Sequence, residues 1–159
     1  MLRLLGVDGV VSHHDIYDVT DSDGVVIAPA WLASAERVHR QLRPQLGVDY
    51  AKELGEVFRG GGRMSVAAVG DDVTGVAVFR VYQNTAEGRH LYVDDLVTDE
   101  GRRSSGVGKA LLDHLHGVAR ALACRTLKLD SGTQRQQAHK FYFREGMTIV
   151  AFHFKKPLI

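Results

Sequence analysis

The sequence predicts one domain of mixed α/β class, built on a central sheet with antiparallel pairing. Segments in which apolar residues recur with helical spacing come first, and β-branched segments follow them. Two of the β-branched segments flank turn-forming residues at 70–72, which predicts a hairpin and therefore antiparallel strands. Helical and extended segments then alternate along the rest of the chain. A sheet flanked by helices accounts for all three observations.

The helices are recognised by apolar residues that recur every three or four positions. In the first helix these residues are Trp31, Ala35, Val38 and Leu42, and a proline lies just outside each end. The predicted helices cover residues 31–42, 50–58, 107–122 and 134–145. The predicted strands cover residues 63–69, 73–81, 90–98, 126–130 and 148–154.

Length and composition exclude several classes of protein. The chain has 159 residues, 45% of them hydrophobic and 25% charged, and no repeat or linker-like segment, which predicts a single domain over residues 1–159. Its net charge of +1 lacks the basic excess of a nucleic-acid-binding protein. The apolar start of the chain is interrupted at Asp8, too early for a signal peptide or a membrane span, so we expect a cytoplasmic protein. The histidine pairs lack the spacing and partner ligands of a metal site, and we expect no metal.

Acidic residues are concentrated near the N-terminus. Residues 1–36 contain one basic residue and six acidic ones, a charge of −5. One interpretation is a solvated acidic extension, covering about residues 1–22. The other is a rim that attracts cations to a nearby site.

The most informative stretch is a strand, a basic loop with two glycines, and a helix. The loop reads Arg103-Ser104-Ser105-Gly106-Val107-Gly108-Lys109. Glycines let successive backbone N–H groups turn toward one concavity, and the N-terminus of the following helix adds partial positive charge. The loop therefore suits a phosphate group. Taken alone, it is equally well explained as a tight helix entry with a solvated basic rim, and its spacing differs from that of dinucleotide and P-loop sites.

Two motifs resemble those of the GNAT superfamily of N-acetyltransferases. Residues 103–108 are similar to the Arg/Gln-x-x-Gly-x-Gly/Ala loop that binds the pyrophosphate of acetyl-CoA in that family. Residues 138–147 are similar to its later Ala-x-x-Phe-Tyr-x-x-x-Gly-Phe segment, at the expected distance along the chain. The resemblance implies a mixed, mostly antiparallel sheet flanked by helices, in the order β-α-α-β-β-β-α-β-α-β. It also implies an N-acetyltransferase that uses acetyl-CoA as co-substrate.

The resemblance further implies which residues hold acetyl-CoA. Backbone groups of the strand before the loop would pair with the pantetheine arm, and the loop would bind the pyrophosphate. The implied residues are Leu96, Val97, Thr98, Arg103, Ser104, Ser105, Gly106, Val107, Gly108 and Lys109. Ser104 stands where the family usually has glycine. Arg135 replaces a common asparagine, and it either contacts the 3′-phosphate or adenine end of CoA or caps a charged surface.

Two residues are implied to act in the chemistry. Tyr142 matches the tyrosine with which family members protonate the departing CoA thiolate, and its alternative role is that of a core aromatic residue beside Phe141. Asp94 and Asp95 stand where many relatives have a Glu-Asp pair. Adjacent residues of a regular strand point to opposite faces, so we expect only one of them to face the acceptor. The register favours Asp94, as the group that takes the amine proton directly or through water. Otherwise Asp94 is a strand-end acid that is solvated or bound to a neighbouring loop.

The identity of the acceptor is left open. The expected reaction is direct attack of a primary amine on the thioester in a ternary complex, without an acyl-enzyme. The amine belongs either to a small molecule or to a peptide, as a protein N-terminus or lysine, and a catalytically silent acyl-CoA sensor is a further alternative. No nucleic-acid or membrane partner is expected, and a homodimer is left open. If the acidic segment lies beside the acceptor cleft, it favours a cationic amine.

Overall fold

The computed structural model describes residues 13–159, which form one five-stranded sheet with helices on both faces. Its elements in chain order are β1 (Asp15–Asp18), α1 (Pro29–Leu42), α2 (Tyr50–Arg59), β2 (Arg63–Val69), β3 (Asp72–Asn84), β4 (Gly88–Thr98), a short 3-10 helix (Glu100–Arg102), α3 (Val107–Ala121), β5 (Thr126–Leu129) and α4 (Gln136–Arg144). The strands lie in the order β1-β2-β3-β4-β5. The first three pairings are antiparallel, and β4 pairs with β5 in parallel. The predicted fold class is confirmed.

Each face of the sheet has its own apolar core. On one face, α1 and α2 pack on side chains that include Met64, Val66, Val76, Val78 and Val97. On the other face, α3 packs on side chains that include Phe79, Leu91, Val93, Leu127 and Leu129. Strand residues contribute alternately to the two cores, as the two-residue period of a strand requires.

Gly75 sets how closely α3 approaches the sheet. A Cβ atom at Gly75 would lie 2.5 Å from Val107 Cγ1 and 2.9 Å from Leu111 Cδ1. Any larger residue would therefore push away the first turns of α3. Because Val107 is the first residue of α3, this contact also positions the loop that precedes the helix.

Most boundaries agree with the sequence prediction within two or three residues, but the predicted last strand is not formed. Residues 148–159 have no strand pairing, and their apolar side chains are exposed: Ile149, Val150, Phe152 and Phe154 are each at least 70% accessible. The β-branched and aromatic pattern correctly reports β-propensity, but a strand also needs an edge to pair with. Of the acidic segment set apart in the sequence, Asp15–Asp18 forms β1 and residues 1–12 lie outside the described part of the chain.

Candidate functional site

The feature that organises the site is a backbone edge of β4 without a partner strand. β5 pairs with β4 only from His90 to Val93. β4 itself continues to Thr98 and stays paired with β3 on its other side. The edge over residues 94–98 therefore exposes N–H and C=O groups that an extended ligand could use as a strand would. Leu96, Val97 and Thr98, the residues implied to meet pantetheine, lie on this edge.

Helix α1 holds β4 at both ends of this free edge. At the far end, Asp99 accepts hydrogen bonds from Arg37 (2.9 Å) and from the side-chain amide of Gln41 (2.9 Å). At the near end, Asp95 contacts His39 Nε2 (2.8 Å) and accepts a hydrogen bond from Arg43 Nε (2.7 Å). The strand is thus anchored by α1 where β5 no longer supports it.

The anchor at Asp95 is a buried polar network. His39 is fully buried, and its other ring nitrogen lies 2.9 Å from the Tyr50 hydroxyl on α2. Burial raises the pKa of Asp95, but the hydrogen bonds from His39 and Arg43 and the charge of Arg43 outweigh burial, so the pKa is lowered. Asp95 is therefore an ionised structural carboxylate.

A β-bulge corrects the expectation that Asp94 and Asp95 face opposite ways. In the β3–β4 register, Asp95 pairs with Val78 and Val93 pairs with Phe79, so Asp94 is an extra residue on β4. The Asp94 carboxylate bonds to Arg80 (2.9 Å), and Arg80 also donates to the carbonyl of Gly60 at the end of α2. Both acids therefore lie on the face that carries α1 and α2. Asp94 remains a candidate proton acceptor, held by an arginine that sequence reasoning missed.

The loop between β4 and α3 presents unpaired backbone donors. Gly106 is the residue before α3, with φ of +88° in the left-handed region, and no side chain caps the helix. Among residues 13–159, the backbone N–H groups of Val107, Gly108 and Lys109 have no acceptor. A Cβ atom at Gly106 would meet nothing within 4 Å, so the space in front of it is open. These unpaired donors are the groups that the predicted anion site would use.

Ser104 shows why the family prefers glycine at its position. Its φ is +63°, a conformation that costs a residue with a side chain about 1–2 kcal/mol. Two contacts hold the loop at Ser105. The imidazole of His14, just before β1, lies 2.9 Å from the Ser105 carbonyl, and the Ser105 hydroxyl donates to the Arg102 carbonyl. These contacts fix the residue next to Ser104 and so maintain its strained backbone conformation.

The two basic residues of the loop differ in their pairing. Lys109 bonds to Asp113 (2.8 Å) and lies 3.7 Å from Glu145 on α4, so its ammonium already has acidic partners. Arg103 is exposed and forms no ion pair within the described part of the chain. Arg103 and the backbone donors, rather than the Lys109 ammonium, are the groups available to an anion.

Helix α4 closes the site at the start of α3. A Cβ atom on Gly108 would lie 3.5 Å from both Phe141 Cζ and Thr98 Oγ1, so β4, α3 and α4 meet at this point. Tyr142 is half-buried with its ring centroid 5.4 Å from that of Phe141. Burial raises the pKa of Tyr142, and the positive charge of Arg135 partly offsets this. Its phenol is therefore protonated at neutral pH, as a proton donor must be. Arg135 is exposed at the residue before α4.

The residues fit a ligand with an extended amide arm and a phosphate group. The free edge offers strand-like hydrogen bonds, and the loop directly beyond it offers unpaired N–H groups at a helix N-terminus. The model of the Acetyltransferase (GNAT) family matches residues 28–147. The chain belongs to the GNAT acetyltransferase family. It is therefore an acyltransferase.

Individual relatives agree with this GNAT assignment. The uncharacterized N-acetyltransferase YhdJ of Bacillus subtilis is 38% identical over 96 residues, which cover 51% of this chain and 68% of that protein. The aminoglycoside acetyltransferase meta-AAC0020 from an uncultured soil metagenomic sample superposes with a TM-score of 0.74 at 16% identity, over 92% of this chain and 97% of that one. AAC(6')-Iy, solved with a bisubstrate analogue, gives 0.69 at 18% identity, over 92% and 100%. The two structural matches show the shared fold.

Two acids of the acidic segment lie on a strand that is separated from β4 by β2 and β3. β1, which carries Asp15 and Asp18, forms the sheet edge three strands from β4, about 14 Å at the usual strand spacing. That distance exceeds the Debye length of about 8 Å at physiological ionic strength. Asp18 also contacts His114 on α3. Asp15 and Asp18 are therefore poorly placed to attract an acceptor to the free edge of β4.

No helix among residues 13–159 has the length and apolar character needed to cross a bilayer. No group of three His, Cys, Asp or Glu side chains there is placed to hold a metal ion.

Proposed function

We propose that this GNAT chain transfers the acetyl group of acetyl-CoA to a primary amine, by direct attack of the amine in a ternary complex. The observation that carries the proposal is the free edge of β4 beside the unpaired N–H groups at the start of α3. This combination matches an acyl carrier that has both amide and phosphate groups. The names of the relatives support the reaction class, because YhdJ is called an N-acetyltransferase and meta-AAC0020 is called an aminoglycoside acetyltransferase. The structure of AAC(6')-Iy holds a bisubstrate analogue that contains CoA.

Acetyl-CoA supplies the activated acetyl thioester when bound. The backbone of Leu96, Val97 and Thr98 orients it along the sheet, and the first turn of α3 binds its pyrophosphate. The N–H of Leu96 is the donor proposed to polarise the thioester oxygen. These tasks use backbone groups. They therefore depend on the contacts by which α1 anchors β4 and on the close approach of α3 to Gly75.

Two side chains carry out the proton transfers of the reaction. Tyr142 donates to the CoA sulfur, for which its raised pKa keeps the phenol protonated. Asp94 accepts the proton of the attacking amine, directly or through water, with one carboxylate oxygen bound to Arg80 and the other free among the described residues. A side-chain amine with a reference pKa near 10.4 arrives protonated, so such an acceptor is required.

The proposal is tested first by binding and turnover. Calorimetry should detect acetyl-CoA binding, and the ligand should raise the melting temperature because it binds the native state. A screen of amines with CoA release as readout should then identify an acceptor. Tyr142→Phe should leave acetyl-CoA affinity nearly unchanged and lower kcat by roughly tenfold to ten-thousandfold, as expected for a positioned general acid.

Tyr17→Phe is the matched control for this experiment. Tyr17 is on β1 and stacks on Trp31, at the opposite edge of the sheet, so its hydroxyl should not affect kcat. Absence of acetyl-CoA binding at millimolar concentration would overturn the proposal. Binding without release of CoA for any amine or peptide would instead favour the silent sensor.

A further inference from the structure

The sheet face that carries α1 and α2 is uncovered beyond the bulge. Register and alternation place Arg80, Tyr82, Tyr92, Lys128 and Asp130 on this part of the face, which we call the open platform. Their strand neighbours Phe79, Val81, Leu91, Val93, Leu127 and Leu129 pack on the opposite face beneath α3. Tyr82 is 42% exposed, and Asp130 is also exposed.

The open platform adjoins the place where β4 and β5 stop pairing. Val93 and Leu129 form the last pair, and Asp94 and Asp130 are the next residue on each side. These two carboxylates therefore flank the opening that leads to the free edge of β4. The proposed thioester site and the open platform share this boundary.

Asp130 has no lysine or arginine partner among residues 13–159, unlike the two acids that pair with platform residues. Arg80 pairs with Asp94 (2.8 Å), and Lys128 pairs with Glu87 (3.0 Å). One oxygen of Asp130 accepts the Tyr92 hydroxyl (2.7 Å) and contacts the imidazole of His153 (2.7 Å), while its other oxygen has no partner in the described chain. The Tyr92 bond fixes the carboxylate, so the free oxygen is held in place for a ligand.

A second polar group without a partner lies next to Asp130. The hydroxyl oxygen of Ser131 is buried and has no hydrogen-bond partner among the described residues. Buried polar groups are nearly always satisfied, so this hydroxyl is a further group that a ligand held at Asp130 could use. Nε2 of His90 is also unpaired, but His90 is fully buried and pairs with Thr126, four residues before Asp130, so it is out of reach of such a ligand.

We infer that Asp130, oriented by Tyr92, binds the ammonium group of the acceptor, and that the acceptor is a cationic primary amine with no carboxylate next to the amine. This inference rests on the proposed function and names the substrate class of the same site. The exposed ring of Tyr82 gives the body of the amine an apolar surface two residues along the strands from Tyr92. A carboxylate next to the amine would meet the unpaired oxygen of Asp130 and be repelled, whereas Asp94 is already paired with Arg80.

The test compares amines that differ by one carboxylate, such as tyramine with tyrosine and cadaverine with lysine. The wild-type enzyme should prefer the member without the carboxylate in kcat/KM. Asp130→Asn keeps the size of the side chain and removes its charge. It should raise KM for the amine about tenfold to a hundredfold, the usual effect of losing a hydrogen bond to a charged group, and should reduce the preference over the carboxylated partner. The KM for acetyl-CoA should stay unchanged.

Asp71→Asn is the matched control. Asp71 is an exposed acid in the turn between β2 and β3, and removing its charge should change neither KM. Melting curves of both variants check that they fold. Tyr92→Phe, which frees Asp130 without removing its charge, should raise the amine KM by less than Asp130→Asn does.

The outcomes separate this inference from the proposed function. An enzyme that binds acetyl-CoA but prefers the carboxylated amines, or acetylates no amine of the panel, overturns the substrate class and leaves the proposed function standing. Equal amine KM values in Asp130→Asn and Asp71→Asn overturn the role of Asp130. Failure to bind acetyl-CoA removes the proposed function and this inference together.

Discussion

Gly106 offers a sharp test of the anion-binding loop, because its φ of +88° can be perturbed without any steric clash. In Gly106→Ala, the left-handed conformation costs about 1–2 kcal/mol. Alanine also restricts the unfolded chain, which returns about 0.4–1 kcal/mol. The net loss of stability should be about 1 kcal/mol, or a fall in Tm of about 2–4 °C for a chain of this size.

The same substitution should have a larger effect on ligand binding. If the backbone relaxes to negative φ, the N–H groups at the start of α3 no longer converge on one point. A hydrogen bond to a charged group contributes about 1.5–3 kcal/mol, so losing a single one weakens acetyl-CoA binding at least tenfold. Calorimetric titration with acetyl-CoA measures this effect, and melting without ligand measures the cost in stability.

Gly61 supplies a matched control. Its φ is +91°, and a Cβ atom there would also meet nothing within 4 Å, but it lies in the turn between α2 and β2. Gly61→Ala should lose a similar amount of stability and keep wild-type affinity for acetyl-CoA. If Gly106→Ala also binds acetyl-CoA as the wild type does, the loop is a tight helix entry and its donors do not bind the pyrophosphate.

Three further substitutions test the scaffold of the site. Gly75→Ala should destabilise the fold by about 1–3 kcal/mol through overpacking against Val107, whereas Gly117→Ala, in an open position on α3, should stabilise it by about 0.5–1 kcal/mol; denaturant unfolding compares the two. Ser104→Gly should relieve the strain at φ of +63° and raise the unfolding free energy by up to about 1 kcal/mol. An unfolding free energy below that of the wild type would show that the serine is unstrained. Asp95→Asn should be less stable than the wild type at neutral pH. Because folding lowers the pKa of Asp95, the difference in unfolding free energy between the wild type and Asp95→Asn should be full above the ordinary pKa of 3.8 and should shrink as pH falls below it. Urea unfolding from pH 7 to pH 3 measures this difference, and a constant difference over that range would contradict the prediction.

The elements that were predicted well are those whose signals are local. The apolar spacing of α1 and the helix start at Val107 depend only on neighbouring residues, and the structure places both within two residues of the prediction. The strand predicted at 148–154 failed because propensity does not say which edge is available for pairing. The loop from Arg103 to Lys109 could be found from sequence because glycines at a helix start suit only a few functions.

The bulge at Asp94 was beyond sequence reasoning. A regular strand would place Asp94 and Asp95 on opposite faces, and no residue of β4 signals the extra position. The partners of these acids come from residues far along the chain, Arg80 on β3 and His39 on α1. Such contacts arise only when the sheet register and the position of α1 are known.

The spacing of Asp95 and Asp99 matches the spacing of the residues at α1 that contact them. Asp95 lies on β4, and Asp99 directly follows the strand, four residues later. Each is contacted by a pair of residues that are likewise four apart on α1 and its C-cap: Asp99 by Arg37 and Gln41, and Asp95 by His39 and Arg43. A strand whose outer edge must stay free for a ligand cannot be fixed by a neighbouring strand there. Polar contacts from the helix on its face replace that support. The acids of this region thus differ in role by position, since Asp95 and Asp99 hold the edge in place while Asp94 and Asp130 flank its opening.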